Sequence, residues 1–160
     1  HLIETKLLFE ESLEEDSPEI SINPLSGLVD EEIESGEFDL WSNSMRLIDN
    51  SRYSEAAENL RLLILSYPDG TYTGDAYFWL GEIYLVQEMF EDSAEILNAF
   101  VLKFEEHPRK ADALYKLAVV KINLEDVVSA EELLQEVISN YPNSGAALLA
   151  EQDLIKLNSQ

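Results

Sequence analysis

Residues able to carry acid–base or metal chemistry are few in this 160-residue chain: His1 and His107 are its only histidines, and cysteine is absent. A zinc site draws three or four His, Cys or carboxylate ligands from spacings such as HExxH or CxxC, and neither motif occurs. His107 lies in EEHPR, which reads as an exposed loop. GTYTG, residues 70–74, lacks the Lys-Ser/Thr of a phosphate-binding loop and reads as a turn. The clusters EESLEED and DEEIE lack the spacing and the glycine of an EF-hand. With 33 acidic residues in the chain, paired carboxylates occur everywhere and signify no catalytic pair. No nucleophile stands with a base and an orienting group. The expectation is a protein without enzymatic activity, cofactor or metal.

A different chemistry is suggested by aromatic residues. Trp41, Phe78 and Tyr115 recur at intervals of 37 residues, with Asp75, Glu82 and Asp112 nearby. Aromatic side chains held on a surface are common anchors of protein interfaces. Their spacing asks for a repeated element that would place them in line.

Such an element is visible from residue 37 onward. Tyr53, Phe90 and Val127 keep the same interval, as do Tyr67, Phe104 and Tyr141. So do Ser44, Gly81 and Ala118; Ala56, Ser93 and Ala130; Leu60, Leu97 and Leu134; and Leu63, Phe100 and Val137. Within a unit the apolar spacing is helical, and a break at Gln87–Met89 divides it into two helices. Pro68 and Pro142 follow the second helix of their units, because proline cannot continue a helix. Gly81 costs its helix roughly 1 kcal/mol relative to alanine. Its use there predicts that the two helices of a pair press together at that point.

These positions match the tetratricopeptide-repeat signature, W-x₂-L-G-x₂-Y, A-x₃-F and P. Here it reads Tyr77-x-x-Leu80-Gly81-x-x-Tyr84, then Ser93-x-x-x-Leu97, with Ala56, Ala130, Pro68 and Pro142 at equivalent places. The implied fold is all-α: a tetratricopeptide-repeat superhelix of three helix pairs and a C-terminal capping helix. The expected units are about 37–73, 74–110 and 111–144, with the cap at about 145–157. Residues 1–36 hold eleven acids and one lysine. They read as an acidic arm, with a short helix at about Leu2–Leu13 and a helical turn near Leu28–Ile33.

In repeats of this kind the first helices line a concave face through their second, fifth, ninth and twelfth positions. Applied here, that rule predicts a partner-binding groove that includes Phe38, Trp41, Met45, Phe78, Glu82, Tyr115 and Val119. Trp79 is expected to pack between units. The tetratricopeptide clamps that hold a C-terminal carboxylate use Lys, Arg and Asn on this face. Asp75, Glu82 and Asp112 stand there instead, so a partner with apolar anchors and Lys/Arg flanks is expected.

FWLGEIY (78–84), MFEDSAEIL (89–97), HPRKADALYKLA (107–118) and SAEELLQEVISNYPNSGAA (129–147) resemble the C-terminal domain of the CpoB/YbgF family. FDLWSNSMRLIDNSRYSEAAENLRLLILSYPDG (38–70) resembles its first unit. The resemblance implies a periplasmic adaptor of cell division that links Tol–Pal outer-membrane constriction to septal peptidoglycan synthesis. It implies TolA and a bifunctional peptidoglycan synthase as partners. It also implies a trimerising coiled coil, which would lie upstream of His1, behind a removed signal peptide. Outer-membrane assembly lipoproteins carry similar YP-ended repeats and are the alternative, as is a general repeat scaffold. The formal charge of −23 repels nucleic-acid phosphates and anionic lipid heads. Neither nucleic acid nor membrane insertion is expected.

Overall fold

The structure is a computed structural model that describes residues 26–160, with side chains from residue 36 onward. The expected short helix at Leu2–Leu13 and the linker after it lie outside the described residues. Seven helices follow one another among the described residues. They are α1 (Ser26–Asp49), α2 (Tyr53–Ser66), α3 (Thr73–Val86), α4 (Phe90–Lys103), α5 (Lys110–Asn123), α6 (Val127–Asn140) and α7 (Gly145–Asn158). Helix α1 runs through the 36/37 division proposed from sequence, and the packed unit starts at Ile33. Gly36 is a point of contact: a Cβ on it would lie 2.5 Å from the Tyr67 hydroxyl.

Helices α2, α4 and α6 begin at Tyr53, Phe90 and Val127, one per 37-residue interval. The turn before each is built alike. Ser51, Glu88 and Glu125 take left-handed backbone angles, with φ of 58°, 59° and 62°. The next amide reaches back to close the preceding helix: Arg52 N–H donates to Leu47 C=O at 2.8 Å, Met89 to Tyr84 at 2.8 Å, and Asp126 to Lys121 at 2.9 Å. This is the usual way of satisfying the last carbonyls of a helix, although glycine is the residue that does it without steric cost. The carboxylate of Asp126 then caps α6 by accepting from Ser129 N–H at 3.2 Å, and the Ser129 side chain together with that amide holds its carboxyl below the usual value.

Each pair is locked by small residues. A Cβ on Gly81 would lie 2.5 Å from Leu97 Cδ2, so α3 approaches α4 as the sequence predicts. Ser93, fully buried on α4, donates its hydroxyl to the Gly81 carbonyl at 2.8 Å. Packing of this density offsets the propensity lost at the glycine. The buried residues form two clusters. One centres on Leu60, Leu63, Leu80 and Ile83, the other on Phe78, Phe100, Leu117 and Leu134. Trp79 touches both, which agrees with its expected place between units.

Candidate functional site: the row of first helices

Helices α1, α3, α5 and α7 hold equivalent places in the repeat, and side-chain ties join them in sequence. Glu37, only 4% exposed, reaches from α1 to the start of α3. Its carboxylate accepts from Thr71 N–H at 3.2 Å and Tyr72 N–H at 2.6 Å. The positive end of the α3 dipole favours an anion at this place. Between α3 and α5, Lys116 Nζ lies 3.4 Å from Glu82 Oε2. Between α5 and α7, the Tyr115 hydroxyl donates to Asp153 Oδ2 at 2.8 Å. Burial, with the Asp153 bond and charge added to it, pushes the Tyr115 hydroxyl up to about 12.

At the α1 end the row is apolar and open. Phe38 is 51% exposed, and its ring centroid lies 5.9 Å from that of Tyr72. Trp41 is half-buried and stacks on the same tyrosine: its centroid is 5.5 Å from that of Tyr72, with planes 18° apart. Met45 and Val119 are also half-buried. Asp112 is exposed.

Phe78 corrects the sequence reading. It is 3% exposed and belongs to the core, not to an open groove. Its ring packs at 6.0 Å from Phe100 and 5.6 Å from Trp79, and the Arg109 guanidinium lies 5.1 Å from its centroid. Arg109 stands one interval after Tyr72, so each covers the aromatic of the preceding first helix. The rule of fixed positions takes no account of this cover. The expected spine Trp41–Phe78–Tyr115 is therefore interrupted at its middle. Trp79, half-buried and also under Arg109 at 5.2 Å, stands at the surface beside it. Lys116 is a second residue of the row that the fixed positions missed.

His107 also departs from the sequence reading, which made it an exposed loop residue. Its side chain is largely buried, with the ring 5.0 Å from Phe100 and edge-on to it. Nδ1 accepts from Arg109 N–H at 3.0 Å, and Nε2 lies 3.1 Å from Asp75 Oδ1. It is a structural residue that orients the turn before α5. Among the described residues, no group of three or more His, Asp or Glu side chains could hold a metal ion. No described helix is long and apolar enough to cross a membrane.

This arrangement is the tetratricopeptide-repeat fold, all-α with helix pairs in series. A family model described as tetratricopeptide repeat matches residues 112–144. The first such domain of Spaghetti (RPAP3), solved bound to the HSP90 peptide SRMEEVD, superposes with a TM-score of 0.65 at 15% identity. That match covers 77% of this chain and 90% of that one. MamA from Desulfovibrio magneticus RS-1 gives 0.65 at 19% identity, over 77% of this chain and 64% of that one. The Arabidopsis OM64 domain gives 0.66 at 12% identity, over 78% and 98%. At such identities the likeness is one of fold. No curated protein matches the chain significantly by sequence.

Proposed function

We propose that this chain is a non-enzymatic adaptor that captures a segment of another protein on the row of its first helices. The observation that carries the reading is the open apolar end of that row. Phe38 keeps half its surface in water although Trp41 and Tyr72 are beside it to pack against. Exposed aromatics beside carboxylates suit an apolar segment flanked by Lys or Arg. The resemblance to the CpoB/YbgF family supports a finer reading. In it the adaptor works in the periplasm, joins Tol–Pal constriction to septal peptidoglycan synthesis, and has TolA and a bifunctional synthase as partners.

The triple variant F38A/W41A/M45A tests both levels. These side chains border the core without filling it, so its thermal unfolding stays cooperative. Purified TolA and purified synthase are the ligands, measured by surface capture. The expected result is binding by the unmodified chain and at least a tenfold loss in the variant. Equal binding by both would place capture on another surface. Binding of neither protein would remove the division role.

A further inference from the structure

Glu82 sits in the middle of the row with its carboxylate half-served. Lys116 approaches Oε2 at a long 3.4 Å, and Oε1 is buried without a hydrogen-bond partner among the described residues. A buried acceptor left in this state costs free energy that a second donor would recover. Lys116 is over a third exposed and is one flexible point charge, and in this geometry it does not bond both oxygens. A guanidinium can, because its paired N–H groups match a carboxylate two to two. The positions one interval away from Glu82 are Met45 and Val119, both apolar and half-buried. The acid therefore stands between apolar neighbours, with Asp75 and Asp112 adding negative field along the row.

Resting on the capture function above, we infer that Glu82 is the specificity residue of the row, and that it selects a partner segment carrying an arginine. The apolar anchor of that segment lies over Trp41 and Met45 of α1, and the arginine reaches Glu82 of α3. Neighbouring packed helices lie about 8–10 Å apart. An extended chain covers that in about three residues. The segment thus reads apolar-x-x-Arg, with its order along the chain open to either direction of docking. Binding moves the guanidinium onto the carboxylate and displaces Lys116 toward water.

A random-peptide display library, panned on the whole chain, is the probe. Selected peptides are expected to hold an arginine three positions from an apolar residue. A synthetic copy of one should lose about tenfold in affinity on E82Q, equivalent to about 1.4 kcal/mol. The same peptide with Arg→Gln should not distinguish E82Q from the unmodified chain. K116A removes the competing cation and should bind the arginine peptide more tightly, a gain that general damage to the fold would not give. If selected peptides depend on Trp41 but carry no arginine, or bind E82Q unchanged, Glu82 has no such role and the capture face survives. If no peptide is selected, or binding ignores both W41A and E82Q, the capture face fails and this inference fails with it.

Discussion

The joint between α1 and α3 and the joint between α3 and α5 solve one packing problem from opposite sides. At the first, Glu37 of α1 projects into the turn and Gly70 makes room; a Cβ there would overlap the carboxylate. At the second, the turn projects His107 toward α3 and Gly74 makes room; a Cβ there would lie 2.9 Å from the imidazole Cδ2. Gly70 and His107 are one interval apart, and so are Glu37 and Gly74. The large and small members have changed places. At the third joint both positions are small, Ala111 and Ser144, and the tie moves to Tyr115 and Asp153. What recurs is a filled joint with satisfied amides, not a residue. Close packing demands the volume, and the turn demands an acceptor for its N–H groups.

The second joint should show the largest effect. H107A removes a ring packed on Phe100 and Phe104 and the acceptor for Arg109 N–H; a loss of about 3 kcal/mol is expected. Urea unfolding measures it. E37A leaves the Thr71 and Tyr72 amides without their acceptor, for about 1–3 kcal/mol in the same assay. A negligible cost for either would mean that the joints are filled but not held.

The double variant E37G/G70H builds the second joint at the first. Gly70→His alone collides with Glu37, and Glu37→Gly alone leaves a void. Together they should be less damaging than the sum of the two by about 1 kcal/mol, read as a double-mutant cycle. Strict additivity would sink the idea of exchange.

The third joint should show the smallest effect. Y115F loses one hydroxyl bond to Asp153 at a partly solvated place, under about 1 kcal/mol at neutral pH. Its signature is the pH dependence. The raised folded-state value means that the hydroxyl contributes fully below about pH 10, the ordinary tyrosine value. That contribution is lost as pH climbs toward about 12. Unfolding titrations of Y115F should lack the part of the alkaline fall that belongs to this group.

Much of this architecture is legible in the amino-acid order because its cause is periodic. Apolar residues at helical spacing, prolines after Tyr67 and Tyr141, and small residues at Gly81 and Ser93 each act within one unit. The site is less legible because its residues are placed by neighbours from the next unit. Phe78 is removed from the surface by Arg109, thirty-one positions on, and Glu82 is engaged by Lys116, thirty-four on. A lone histidine in a polar turn carries no local sign that two phenylalanines will enclose it. The signal that could have found it lay in the interval itself: His107 falls where the first unit has Gly70, opposite a glycine that replaces Glu37.

Ser51, Glu88 and Glu125 give the array one more property. A side chain at such a backbone angle opposes the bend by roughly 1–2 kcal/mol. The connections between partners therefore do not favour the hairpins they make; the helices hold them bent. A single pair cut out of the chain would have only its own interhelical contacts, such as Ser93 on the Gly81 carbonyl, to hold the bend, so each hairpin draws the rest of its closure from the stack.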